Sequence, residues 1–418
     1  MSESEVFIGL ALLLVLAVGC QIVATRVAVP SIILLLGAGF LAGAWTESVD
    51  PNELMGDKFA PMVTLAVGVI LFDGALDLRI RDLEGHGQHV VRRLILWGVP
   101  ITWAGAVAFV FLLLDLSAGV TILLGAILIV SGPTVVIPLL ERARPGRRVS
   151  AILRWECTTV DPIGAIIGAL VFHALTSGED EAVQRAVLDF TISVGIGILG
   201  GLVGTVVLWL LLDKLRVTGV LATEATIATV VAVTAVCDAV NDDTGLIAAI
   251  VMGLVVANTE MVSSPEDRPF FRTIVQLIIG LLFVSISATV TPESLGGVLW
   301  PSLALVGGLV LVVRPVLAAL ATIRTDLSRK ERAYIGMMDP RGIVAASTAA
   351  TFAGPLAATG EEGAADLLPV TFLVIVGTVT IYGLLATPAA RALGLTEEAD
   401  EHDAAVVQRP LGFEDPAV

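Results

Sequence analysis

The chain has 418 residues, of which 56 % are hydrophobic and only 15 % charged, with a mean hydropathy of +0.92. A soluble domain carries roughly 25 % charged residues, so composition excludes a soluble enzyme, a secreted disulfide scaffold and a disordered chain. A net charge of −16 removes the basic footprint that nucleic acid requires and leaves an all-α polytopic membrane protein, with the lipid bilayer as its surroundings.

Thirteen apolar runs follow one another, each near the roughly 20 residues that cross a bilayer. They cover 6–24, 28–45, 60–76, 92–114, 119–140, 151–175, 186–212, 222–240, 244–258, 271–290, 297–322, 331–353 and 367–392. The acidic leader Met1-Ser2-Glu3-Ser4-Glu5 lacks the basic start of a signal peptide, so the first run reads as a span. An odd count puts the termini on opposite sides. With the N-terminus outside, 19 of the 24 Lys and Arg fall on the inner side, and Lys58 and Arg185 fall outside. That is the positive-inside pattern of a cytoplasmic membrane. The outer loops are acidic, at Glu47, Asp50, Glu53 and Asp57, at Glu179 to Glu181, at Asp242 and Asp243, and at Glu361 and Glu362. Residues 393–418 form a short acidic cytoplasmic tail after a single membrane domain, 1–392.

Span three ends in Phe72-Asp73-Gly74. Asp73 is either a helix-end carboxylate facing inner water or a second site carboxylate. Span five contains Ser131-Gly132-Pro133-Thr134, and span twelve contains Asp339-Pro340-Arg341-Gly342. Both are interrupted in mid-membrane by Gly and Pro. With span seven as a linker between spans 1–6 and 8–13, each break occupies the fifth place of its half, and the halves have opposite topology. Paired interrupted helices in an inverted repeat mark a transport site near the midplane.

Span six carries Arg154-Trp155-Glu156-Cys157-Thr158-Thr159-Val160-Asp161-Pro162. Asp161 lies about ten residues, or roughly 15 Å, into the helix, in the middle of the membrane. An ionisable group there costs at least about 2.5–3.5 kcal/mol and needs a partner, a watery cavity or a function. Burial disfavours a charged carboxyl, while an ionised one binds a hard cation through oxygen. A proton and a metal ion can therefore compete for one group. Thr158, three residues earlier, shares its face. Glu156 projects about 140° away and pairs naturally with Arg341 at the span-twelve break. Arg314 in span eleven has no evident partner, and the role of Asp339 stays open. Cys20, Cys157 and Cys237 lie inside apolar runs and read as packing residues. Gly197, Gly200, Gly201 and Gly204 in span seven, with Gly164 and Gly168 in span six, have the small-xxx-small spacing of close helix packing. No phosphate-binding glycine loop is present, so neither a nucleotide nor another cofactor is expected.

These motifs carry a family resemblance over nearly the whole chain. Ile70-Leu71-Phe72-Asp73-Gly74 in span three, Ser131-Gly132-Pro133-Thr134 in span five, Arg154 to Asp161 in span six, Thr244-Gly245-Leu246 in span nine and Pro340-Arg341-Gly342 in span twelve resemble the monovalent cation/proton antiporters, in their NhaP-like sodium/proton branch. The resemblance implies crossing broken helices, a homodimer and a mobile core. It also implies alternating-access exchange of Na⁺, or Li⁺, for H⁺ in pH homeostasis. It places ion and proton binding on Asp161, maps the family's glutamate–arginine pair onto Glu156 and Arg341, and maps the assisting acidic group onto Asp73 and a main-chain oxygen onto Ser131. Three departures stand out. The usual Asn before the site is Val160, the usual Asp of the span-five break is Gly132, and a serine position is Cys157, a soft and poor sodium ligand. Asp73, Thr158 and Ser131 then supply the oxygens. One central carboxylate implies one cation per proton and electroneutral exchange. The alternatives are a K⁺/H⁺ antiporter and an organic-anion/proton transporter of similar repeat design.

Overall fold

The computed structural model describes residues 3–27, 29–46, 51–83, 87–177, 182–241, 244–259 and 268–396. Glu47, Asp50, Glu179 to Glu181, Asp242, Asp243 and the tail from 397 onward lie outside the described residues. Every regular element among the described residues is helical. They are α1 (Glu3–Val27), α2 (Ser31–Trp45), α3 (Pro51–Met55), α4 (Phe59–Leu76), α5 (Gly87–Leu113), α6 (Ala118–Ile127), α7 (Pro133–Ala143), α8 (Arg147–Ser177) and α9 (Ala182–Trp209). There follow α10 (Val220–Val240), α11 (Thr244–Asn258), α12 (Arg268–Ala288), α13 (Pro292–Leu295), α14 (Leu299–Gly308), α15 (Arg314–Ala321), α16 (Arg329–Ile335), α17 (Ile343–Ala358) and α18 (Leu367–Leu393). Nine helical stretches among the described residues are long and apolar enough to cross a membrane. Shorter apolar helices, α2, α6, α11 and α17, lie between them. The chain is a multi-pass membrane protein.

The helices sort into two bundles by what they touch. In the first, α11 packs against α4, α9 and α10, and α12 against α1 and α2. In the second, α5, α6 and α8 pack together, α15 lies on α5, and α18 lies on α7, α14 and α17. Small residues bring backbones together within each bundle, as expected for packing in lipid. A Cβ on Gly201 would stand 2.6 Å from the Ala248 carbonyl oxygen of α11, and one on Gly197 2.5 Å from the Ile247 side chain. Gly39 and Gly43 of α2 meet the backbone of α12 in the same way. Gly253 of α11 faces the carbonyl of Phe72, beside Asp73.

Two helices are interrupted where Gly and Pro interrupt the sequence. Residues 128–132 separate α6 from α7, and residues 336–342 separate α16 from α17. Pro133 opens α7 at its first turn, where proline's missing N–H costs nothing. The breaks touch: a Cβ on Gly132 would lie 2.6 Å from the Cα of Gly342. Two π turns add to these, Leu210–Lys214 after α9 and Leu309–Val313 just ahead of Arg314. Pro315 cannot donate the next helical hydrogen bond, and the wider turn sets where Arg314 points.

Candidate functional site

The face of α8 that carries Asp161 packs on the span-five break. A Cβ on Gly164, one turn beyond Asp161, would meet the side chain of Val130 at 2.6 Å and its backbone nitrogen at 3.1 Å. Asp161 itself is fully buried, and neither of its carboxylate oxygens has a hydrogen-bond partner among the described residues. A buried polar group without a partner is costly, so such a carboxyl is kept for something other than packing.

Three elements converge here. The space over Gly74 of α4 is bounded by Pro133 Cβ at 3.7 Å and Thr158 Oγ1 at 3.8 Å. Thr158 and Ser131 are buried as well, and Asp73, next to Gly74, is half-buried. The structure therefore gathers Asp161, Thr158 and the span-five break, with the end of α4 alongside. Cys157 lies beside the site, its thiol donating to the carbonyl of Arg154 at 3.3 Å and standing 3.9 Å from Thr158 Oγ1. Thr134 was not anticipated. Its hydroxyl is buried, has no hydrogen-bond partner among the described residues and sits 3.2 Å from where a Gly132 Cβ would be and 3.3 Å from where a Gly342 Cβ would be. The sequence signal was a hydroxyl one residue past the proline of the break.

The expected pairing of Glu156 with Arg341 is corrected. Glu156 takes both arms of Arg314, whose Nη2 donates to its Oε2 at 2.8 Å, in a fully buried fork. The reason is directional. The side of α8 that carries Glu156 faces the turn that presents Arg314, so the cation with no sequence partner is the partner. Arg341 instead pairs with Asp339 at 3.1 Å. As the helical wheel requires, Glu156 and Asp161 do face different surroundings.

Each arginine also serves a helix end. Arg314 Nε donates to the carbonyl of Ile335, the last residue of α16, at 3.0 Å. Arg341 Nη1 donates to the carbonyl of Ile129, just past α6, at 3.3 Å. A helix C-terminus carries about half a negative charge, and both first halves of the interrupted helices end on a guanidinium. The second halves, α7 and α17, start at Gly132 and Gly342 with no side-chain cap. Their positive ends meet at the crossing, where an ionised carboxylate is the complementary charge. Arg154 binds Asp77 at 2.9 Å.

Known proteins share this fold. The sequence profile "Sodium/hydrogen exchanger, transmembrane" matches residues 10–392. The chain is 25 % identical over 410 residues to a K(+)/H(+) antiporter NhaP2 of Shewanella sp. (strain ANA-3), covering 93 % of this chain and 67 % of that one. It is 25 % identical over 366 residues to Na(+)/H(+) antiporter 1 of Methanocaldococcus jannaschii, covering 82 % of each. The fold is similar to that of the sodium proton antiporter MjNhaP1 from the same organism at pH 8, with a TM-score of 0.78 and 20 % identity over 92 % of this chain and 100 % of that one. A profile match over nearly the whole chain, on a fold whose crossing breaks lie beside an unpartnered buried aspartate, shows that the protein belongs to the sodium/hydrogen exchanger family.

Proposed function

We propose that the chain exchanges Na⁺ for H⁺ at Asp161 by alternating access. The observation that carries this reading is the buried carboxylate without a partner among the described residues, set against the crossing of two interrupted helices. Deprotonated, Asp161 takes the cation with oxygens from Thr158, Ser131 and Asp73. The cation leaves on the other side, a proton replaces it, and the neutral site returns. Among the described residues no three His, Cys, Asp or Glu side chains cluster. The coordination rests on one fully buried carboxylate, Asp161, with the half-buried Asp73 at its edge and hydroxyl and main-chain oxygens beside it, and a single central carboxylate favours one cation per proton and an electroneutral cycle. Glu156 and Arg341 act indirectly, by holding α8 and the helix ends in place. Cation and proton are cargo, and no cofactor takes part.

Bundle membership supports an inverted repeat of two halves. Each half places its first three spans in the first bundle and its last three in the second. We place the protein in the cytoplasmic membrane as a homodimer, with the arginine-rich loops inside and the N-terminus outside. K⁺ is the second reading, favoured by the names of the Shewanella relatives.

The test uses everted vesicles holding a respiration-driven pH gradient. Added Na⁺ collapses the gradient in wild type, Li⁺ and K⁺ rank the selectivity, and Asp161→Asn abolishes the response. No response to any of the three ions, or a normal one in Asp161→Asn, refutes the proposal.

A further inference from the structure

Glu156–Arg314 and Asp339–Arg341 are dry and lie inside the second bundle. A different network crosses from one bundle to the other. Asp77, closing α4, accepts from Arg154 of α8 at 2.9 Å and from Arg272 of α12 at 3.1 Å. Both arginines also face Glu141 of α7, at 3.9 Å and 3.6 Å. The charges alternate around a ring of four. Asp77 and Arg272 belong to the first bundle, and Glu141 and Arg154 to the second.

The ring stands over the site. Asp77 is four residues from Asp73, Arg154 seven from Asp161, and Glu141 seven from Thr134. Those are same-face spacings, about 6 to 10 Å along each helix. All three helices run from the site to the ring at the arginine-rich end of the molecule. The ring is also wet: the side chains of Asp77, Arg154, Glu141 and Arg272 are 15, 22, 44 and 45 % exposed. Hydrated pairs of this kind are individually weak and screened by salt, so they can part and re-form. A dry pair such as Glu156–Arg314 cannot do so readily.

We propose that the Asp77–Arg154–Glu141–Arg272 ring is a gate. Closed, as here, it ties the two bundles together at the arginine-rich mouth. It must open before a cation passes between Asp161 and that side. The inference rests on the antiport reading, since only a transporter needs this mouth to open.

The experiment uses the full chain carrying Cys20→Ala and Cys237→Ala, which leaves Cys157 as the reporter. Cys157 is buried and one turn from Asp161. A membrane-impermeant methanethiosulfonate is added separately to each face, in intact cells and in everted vesicles. Asp77→Asn should speed Cys157 labelling at least fivefold from the face carrying the arginine-rich loops, and not from the opposite face. Arg272→Gln, on the other rim of the first bundle, should do the same at least threefold, and it carries the test if Asp77→Asn fails to fold. Labelling unchanged from the parent in the folded variants, or accelerated equally from both faces, overturns the gate. Sodium-driven proton flux of the parent is measured in the same vesicles. Missing flux with accelerated labelling would sink the antiport reading and keep a breakable ring. Normal flux with unchanged labelling would sink the gate alone.

Discussion

Gly132 and Gly342 face each other at the crossing of the two interrupted helices, each occupying the space that the other's side chain would need. A Cβ on Gly342 would lie 2.5 Å from the Cα of Gly132. Their backbone angles, φ −83° and −118°, are open to any residue. Close approach is therefore what demands glycine here. Backbone against backbone cannot yield as a flexible side chain would.

Gly132→Ala and Gly342→Ala should each force the crossing apart. Overpacking of this kind costs about 1–3 kcal/mol, and the displaced helix ends would no longer frame the site. Antiport should fall more than tenfold in each variant, with a lower melting temperature in detergent. Thermal unfolding and vesicle flux check the two effects separately.

The fork between Glu156 and Arg314 should be sensitive to losing one partner and more tolerant of losing both. Removing one member of a buried pair typically costs about 3–5 kcal/mol, because the other charge is left uncompensated. Glu156→Gln and Arg314→Met should each destabilise the fold on that scale, and the double variant by less than their sum. A double-mutant cycle between Glu156 and Arg341 should show a coupling of no more than about 0.5 kcal/mol. A larger coupling there would reinstate the pairing read from sequence.

Competition at one carboxyl has a definite sign. Protonated Asp161 cannot take a cation, so lowering the pH removes the binding-competent form. In the acid range the apparent KM for Na⁺ should rise by about tenfold per pH unit by mass action, with the maximal rate unchanged at saturating Na⁺. Initial rates over a grid of pH and Na⁺ decide this. A KM indifferent to pH would separate the two sites.

The hydroxyls at the site should act on binding. Thr158→Val and Thr134→Val keep the side-chain shape and remove one oxygen. Each should raise the KM for Na⁺ roughly three- to tenfold, equivalent to about 1 kcal/mol, while the fold stays intact. Isotope uptake in proteoliposomes measures it. A drop in maximal rate with unchanged KM would instead assign these hydroxyls to helix movement.

Much of this architecture was legible in advance because lipid punishes ambiguity. Asp161 stood out as a charge in mid-membrane, and Gly-Pro at 132–133 and Pro-Arg-Gly at 340–342 stood out as breaks. The partners of the embedded arginines did not. Arg341 and Arg314 both lie in apolar surroundings, and sequence spacing offers no rule for which helix faces Glu156. Thr134 was equally hidden, since a hydroxyl in a membrane helix usually bonds back to its own carbonyls, as Thr378 does here.

Composition and pattern by themselves determined an all-helical membrane protein with paired interruptions and one central carboxylate. They suffice because the bilayer leaves only helices and closed barrels to satisfy the backbone, apolar runs of about 20 residues fit the helix, and each buried charge is conspicuous. Only the tertiary structure decided that Glu156 binds Arg314, that the breaks meet glycine to glycine, and that Asp77, Glu141, Arg154 and Arg272 close a ring between the bundles. Those facts depend on helix rotation and on the π turn before Arg314. Rotation is set by many small packing contacts between helices distant in sequence, and no local pattern encodes their sum.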